Sequence, residues 1–414
     1  MEKVSIILGK AVQKVTRLKG NGGSALPGLV IERTNKNFIK QVLGKLPHGV
    51  VVISGTNGKT TTTKIVSELL EKQGLKVFTN KSGSNFVRGV VSAILANIKI
   101  TGKFDFDIAV LELDEAHAVK FAEQVPIDYA LFLNVQRDQL DRFGEIDHTA
   151  ELLQKVATKT QKAIVLNRED IRVSKITGPK RIFFGLSEEM QKRFPSDDEL
   201  IATSKDFAKE EHEAKIVLEN LKGGKASYRH KDDVYSCELS LRGIYNAYNA
   251  AGALALCNTI LPKVSVEKLV SDLTGIKSAF GRGEVFKIHD IEVEILLVKN
   301  PAAFQLSLTS FADSDHDYMI AINDNTADGH DISWLWNVNF SELSSVKVTS
   351  GTRAADMALR LKYDDVDVKI VEEEILTALN KFLKSSKRPK RIFASYTAML
   401  EIRKLISGSS ILWL

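Results

Sequence analysis

Val51-Val52-Ile53-Ser54-Gly55-Thr56-Asn57-Gly58-Lys59-Thr60-Thr61-Thr62-Thr63-Lys64 is the stretch whose reading decides this chain. The apolar run Val50 to Ile53 stops at Gly55, and an amphipathic helical pattern begins at Thr60. That is a strand, a glycine turn and a helix start. Glycines let the turn close around an anion, while a helix N-terminus offers unpaired N–H groups at the positive end of its dipole. Gly55, Thr56, Asn57, Gly58, Lys59, Thr60 and Thr61 are therefore the expected phosphate cradle. Lys59 supplies a cation for the outer phosphates, and Thr60 a hydroxyl suited to Mg²⁺. The first glycine of the longer phosphate-loop pattern would fall on Ile53, so the motif is the shorter Gly-Thr-Asn-Gly-Lys-Thr-Thr. The expected ligand is a nucleoside triphosphate.

Outward from this loop the chain alternates strand and helix patterns. Strands are expected at Lys76–Thr79, Phe106–Glu112, Tyr129–Asn134 and Ala163–Asn167, and helices at 60–73, 89–96 and 148–159. Such alternation implies a parallel sheet covered on both faces, with functional residues at the carboxyl ends of its strands. Residues 200–240 read as a small β-rich excursion, and 246–258 and 266–273 as helices. After Phe280-Gly281-Arg282-Gly283-Glu284 a second series begins, with strands near 291–299, 318–323, 346–349, 366–371 and 391–394, interleaved with helices. Before the loop, Lys19 to Gly28 reads as a glycine-rich connection between short helices. The expected division is a lead-in over 1–49, a central ATP-binding domain over 50–283 and a smaller Rossmann-like α/β domain over 284–414.

A length of 414 residues exceeds one core, and 44% hydrophobic with 26% charged residues is ordinary globular composition. The net charge of +5 comes without basic stripes interleaved with aromatics, which excludes a nucleic-acid-dependent ATPase. Lys384 to Arg391 is the densest basic run. It reads as a solvated loop, or as a patch facing an anionic membrane or phosphorylated lipid. Two cysteines, Cys237 and Cys257, make neither a disulfide framework nor a four-cysteine metal site. The apolar start is too short for a signal peptide and no run reaches membrane-spanning length, so a cytoplasmic protein is expected. His117 and His148 are too isolated to suggest a metal centre.

Five patterns occur in the order found in the Mur ligase family of ATP-dependent amide-forming enzymes: Gly55–Thr61, Thr79–Asn85, Leu111–Glu115, Asn134–Gly144 and Gly243–Ala251. The last third adds Leu297-Val298-Lys299-Asn300-Pro301, Asp324–Trp336 and Ser350–Met357. Together these resemble the MurT-type branch, the ligase subunits of lipid II isoglutaminyl synthase. The resemblance implies a central Mur-ligase-type ATPase domain and a smaller C-terminal domain. It implies amidation of the α-carboxyl of D-glutamate in the peptidoglycan stem of lipid II, with ammonia from a GatD-like glutaminase subunit. A stand-alone ligase adding an amino acid, as folylpolyglutamate synthetases do, is the competing reading. A nucleotide-driven scaffold without chemistry is a third. Peripheral contact with the inner face of the membrane follows from a lipid-linked substrate. The sequence departs from the branch in two places: it lacks the four-cysteine zinc ribbon, so zinc is not expected, and Asn337 stands where an Asp usually follows the second tryptophan.

Amide formation from a carboxylate needs ATP to make an acyl phosphate, which ammonia then attacks, and the enzyme mainly positions and neutralises charge. The resemblance places Lys59 and Glu112 at this chemistry, with Thr60 and Glu112 on Mg²⁺. Asn246 and Asn249 are candidates for the adenine, or simply a polar helix face. Arg282 and Asp324 resemble cross-domain contacts to phosphate and ribose. The Asp-Gly-x-Asp stretch implies that Asp328 or Asp331 orients the imidazole of the partner's Cys–His couple, and the sequence leaves the choice open. Trp334 and Trp336 read either as a docking surface or as core.

Overall fold

The computed structural model describes residues 2–18, 25–80, 87–136, 146–194, 212–277, 282–288 and 290–408. Lys81–Asn85 of the second pattern, Arg137–Gly144 of the fourth and Gly281 lie outside the described residues, as does the side chain of Arg282.

Strand β1 (Val50–Ser54) is buried along its whole length, as an apolar run flanked on both sides must be. It pairs in parallel with β3 (Ile108–Glu112) on one side and β4 (Ile127–Phe132) on the other. Beyond β3 lies β2 (Val77–Phe78); beyond β4 come β5 (Thr160–Asn167) and β6 (Lys180–Leu186). The chain thus leaves β1 toward one edge and returns to fill the other. That reversal opens a crevice at the carboxyl end of β1, where the glycine loop sits. Helix α4 (Lys59–Lys72) follows the loop and buries Ile65, Val66, Leu69 and Leu70 against the sheet.

Strand β6 was not foreseen, although Gly178-Pro179 directly before its Arg-Ile-Phe-Phe core was an available turn signal. The β-rich excursion proves to be no separate unit. Strand β7 (Ala214–Lys222) pairs in parallel with β6, and β8 (Lys225–His230) and β9 (Asp233–Glu238) extend the same sheet antiparallel to nine strands. A helix buried except at Tyr245 and Thr259, Ile244–Ile260, covers it; its Ala-rich sequence lets it lie close to both the strands and α4. Cys257 packs within this helix and Cys237 within β9, both buried.

Ala25–Gly28, expected in a loop, instead starts α2 (Ala25–Thr34). Pro27 is tolerated in a first turn, where its missing N–H costs nothing. Gly28 has a packing role: a Cβ there would lie 2.3 Å from the carbonyl oxygen of Arg88 on α5 (Val87–Asn97). Helices α1 (Glu2–Leu18), α2 and α3 (Phe38–Leu43) sit over this face of the first sheet.

The second sheet has six strands in the order β10 (Arg282–Ile288), β11 (Ile291–Leu297), β15 (Lys390–Ala394), β12 (Asp317–Ala321), β13 (Ser345–Ser350) and β14 (Asp367–Glu372). Only the β10–β11 pair is antiparallel. The basic run at 384–391 is partly interior: Lys390 is fully buried, 2.8 Å from Asp317, and Arg391 lies 2.9 Å from Glu294 and 3.0 Å from Asp313. A buried charge is tolerable only with such partners.

Candidate functional site

Glycine is obligatory in the loop after β1. Gly55 and Gly58 have φ of 129° and 90°, and a Cβ on Gly58 would meet the Asn249 amide at 2.7 Å. Thr56 and Asn57 strap the loop to the segment after β4. The Thr56 N–H donates to the Asn134 carbonyl (2.9 Å), the Asn57 N–H to Asn134 Oδ1 (2.8 Å), and Asn57 Nδ2 to Gln136 Oε1 (2.6 Å). These two N–H groups are therefore spent on holding the loop's shape. The anion-facing set is the first turn of α4, whose earliest backbone bond runs from Thr62 N–H to the Gly58 carbonyl (2.9 Å). Gly58, Lys59, Thr60 and Thr61 precede that bond, so their N–H groups have no acceptor within the helix.

Lys59 is nearly buried. Its ammonium donates to the Gly55 carbonyl (2.6 Å) and stands 3.2 Å from Asp114 and 3.9 Å from Glu115. Both carboxylates follow β3. Sequence reading quoted them and gave them no part, although acids directly after a strand beside β1 were the available signal. Glu112, opposite Ile53 in the β1–β3 register, is 4% exposed. Asn80 clamps its backbone in both directions, donating to the Glu112 carbonyl (2.9 Å) and accepting its N–H (3.1 Å).

A crevice runs from Gly58 and Thr61 between the two sheets. It is walled by Leu186, Phe194, Tyr245 and Tyr248 on one side and by Leu297, Lys299 and Leu306 on the other. Asn246 and Asn249 both line it. Asn246 donates to the Arg242 carbonyl (2.6 Å), and Asn249 sits against Gly58. Asp170 also lines the crevice. Burial pushes its carboxyl up to about 6, against the pull of backbone N–H groups from Val135, Val173 and Arg172.

The second sheet reaches the loop directly. Lys299 Nζ donates to the Thr56 carbonyl (3.0 Å), and the amides of Asn300 and Asn57 exchange two hydrogen bonds of 3.2 Å. Asn300 also caps the helix Pro301–Phe311, accepting the Ala303 N–H at 2.9 Å, which fixes its rotamer. Sequence reading assigned neither Lys299 nor Asn300 a role; a Lys-Asn-Pro at a strand-to-helix junction was the cue.

Asp324 is not among the crevice residues. Its carboxylate takes Thr352 Oγ1 (2.8 Å) and the guanidinium of Arg353 (2.7 Å), which hold its pKa below the usual range. Of the Asp-Gly-x-Asp pair, Asp328 is engaged by both oxygens: it accepts the Thr397 N–H (2.8 Å) and the Thr397 hydroxyl, capping the helix Tyr396–Ser407. Asp331 is exposed, and one oxygen accepts the Ser333 N–H (2.8 Å). The following turn divides its apolar residues. Leu335 is buried, and Trp334 packs toward Phe304 with ring centroids 6.4 Å apart. Trp336 stays half exposed between Tyr363 (5.1 Å) and Arg360 (5.4 Å). Arg360 anchors the turn by donating to the carbonyls of Leu335 (3.1 Å) and Val338 (2.5 Å). His117 lies on α6 (Glu115–Ala122), and His148 on the helix Ile146–Lys159, 3.7 Å from Glu151.

The Mur ligase middle domain family matches residues 53–257, and the MurT ligase C-terminal family matches residues 297–399. The chain is 28% identical to the MurT subunit of the glutamine-hydrolysing lipid II isoglutaminyl synthase of Staphylococcus aureus (strain COL), covering 89% of each. Identity to the same-named subunit of Streptococcus pneumoniae (strain R6) is also 28%, covering 99% of this chain and 97% of that one. In fold it is similar to a pseudomurein peptide ligase type C from Methanothermus fervidus, with a TM-score of 0.70 at 17% identity over 92% and 83% of the two chains. It is also similar to the MurF ligase from Thermotoga maritima solved with ADP, with a TM-score of 0.68 at 19% identity over 92% and 83%.

Proposed function

The chain belongs to the Mur ligase family, an ATP-dependent ligase with a MurT-type C-terminal part, and from that premise we propose that it amidates a carboxyl of a lipid-linked peptidoglycan precursor. The acceptor in this reading is the α-carboxyl of D-glutamate in lipid II. The observation that carries it is the convergence on the Gly55–Thr61 loop of the α4 helix start, the Lys59 ammonium and, from the second sheet, Lys299.

The residues divide the work. Asn134 and Gln136 hold the loop rigid, so the cradle is formed before ligand arrives. Asp114 and the Gly55 carbonyl keep Lys59 extended along the loop, ready to exchange a carboxylate for a phosphate. Lys299 and Asn300 couple the position of the second sheet to the loop, so closure of the crevice brings a second cation to the phosphates and excludes water. The crevice between Tyr248 and Leu306 fits a flat base beside the loop. Thr60 and Glu112 offer hard oxygen donors on adjoining elements, a set suited to Mg²⁺. Bound there, the ion would neutralise charge on the transferring phosphate.

Ammonia displaces phosphate only when unprotonated, and a docked glutaminase subunit would deliver it out of solvent. Asp331, exposed beside the half-exposed Trp336, is the carboxylate available to orient the imidazole of such a partner; Asp328 is committed to Thr397. The test is amidation of lipid II by the purified chain with ATP, Mg²⁺ and either ammonia or glutamine plus the partner. Isoglutamine formed with ammonia alone, and with glutamine only when the partner is present, is the expected result. ATP binding without amide from either source would overturn the reading.

A further inference from the structure

Helix α1 is amphipathic, yet it turns its larger apolar side outward. The inner side is Ser5, Ile6 and Gly9, all buried. Gly9 lies so close to α5 that a Cβ would meet Leu95 at 2.6 Å. The opposite side carries Val4, Ile7, Leu8 and Ala11, at the three- and four-residue spacing of one helix face. Val4 is 70% exposed and Ile7 57%. Surface helices normally direct such a stripe at the core. Here the small-residue side takes the core, and the stripe meets solvent.

The charges around the stripe say what it fits. Among the described side chains of α1, the charged ones are Lys10 and the exposed Lys14, both basic. The neighbouring turn lies near α1, where a Cβ on Gly102 would stand 3.9 Å from Ile6 Cδ1, and it presents exposed Lys99 and Ile100. An apolar helix face bordered by lysines matches a membrane interface, where the apolar side enters the acyl boundary and the ammonium groups reach anionic headgroups. We infer that α1, with the Lys99–Ile100 turn, docks the protein on an anionic lipid bilayer. The inference deepens the reading of a lipid-linked acceptor and rests on it for its purpose, though not for its geometry.

Sedimentation of the full chain with vesicles of phosphatidylglycerol and phosphatidylcholine tests this, with nucleotide titration of the same samples. The wild type should bind the mixed vesicles, bind pure phosphatidylcholine less, and release as salt is raised. Ile7→Glu should lower partitioning about tenfold, since it places a charge in the apolar stripe. Because Ile7 is exposed, circular dichroism and nucleotide affinity should not change. Lys10→Glu with Lys14→Glu should remove the preference for anionic lipid. A wild type that takes nucleotide but ignores vesicles overturns the docking and leaves the ligase reading standing. Vesicle binding by a chain that amidates nothing does the reverse. Ile7→Glu binding like wild type, or acting only by splitting a dimer in sedimentation velocity, would assign the face elsewhere.

Discussion

The glycine loop of the first sheet and the acidic loops of the second are both built at carboxyl ends of parallel strands, and they use charge in opposite ways. In the first, Lys59 is nearly buried and kept available by partners that are easily exchanged. In the second, three acids within eight positions meet three fates. Asp324 is ion-paired, Asp328 caps a helix, and Asp331 alone is exposed. A charged residue in a motif is thus functional or architectural according to what faces it across the fold, and its own sequence does not say which.

The contrast is sharpest at Lys59. Lys59→Ala should lower ATP-dependent amidation by about 10³-fold in protein still folded by circular dichroism, since the cation acts on charge that develops in the reaction. Retained turnover would break the comparison at its stronger end. Asp331→Asn should lower glutamine-dependent amidation by a comparable factor, with ammonia-dependent turnover unchanged. Asp328→Asn should instead cost about 1 kcal/mol of stability, from a weakened helix cap, and affect both nitrogen sources alike. If these two variants exchange behaviours, the assignment of Asp331 fails.

Asn300→Ala probes the link between the regions. Loss of the paired amide contact should raise KM for ATP several-fold, with kcat changing less, as seen in steady-state kinetics. The smallest expected effect concerns pH. Burial opposes ionisation of Asp317, but hydrogen bonds from Lys390 and Ser386 outweigh it and hold the carboxyl below its usual range. Its stabilising contribution is present above the unfolded-state value near 4 and is lost as pH falls through the lowered one. Asp170 runs the other way: raised to about 6, it favours the protonated fold, so stability declines as pH rises from near 4 to about 6. Asp170→Asn should flatten that decline in denaturant titrations, and Lys390→Met should lose the acid-side dependence along with stability.

Much of the architecture was legible because its signals are local. Strand, glycine and helix start follow one another within residues 50–64, and the alternating pattern gave both sheets. What escaped depends on distant partners. Strand β6 follows a Gly178-Pro179 turn but carries no alternating pattern of its own, and β5 and β7 hold it as a strand from either side. Ala25–Gly28 looked like a loop because glycine and proline punctuate loops; packing on Arg88 made the glycine a helix contact. Lys299 and Asn300 matter through Thr56 and Asn57, more than 240 positions away, a relation that spacing cannot carry. The different surroundings of Asp328 and Asp331 show only through Thr397, 69 positions beyond the first of them.

The central claim is that the Gly55–Thr61 loop, held from the second sheet by the Lys299 bond to Thr56, drives amide formation from ATP. Quantifying phosphate and carboxamide together, with the purified chain, lipid II, ATP, Mg²⁺ and ammonia, tests it most directly. Equal amounts of the two products, both lost in Lys59→Ala, are expected. Phosphate released without carboxamide, or carboxamide persisting in Lys59→Ala, would contradict it.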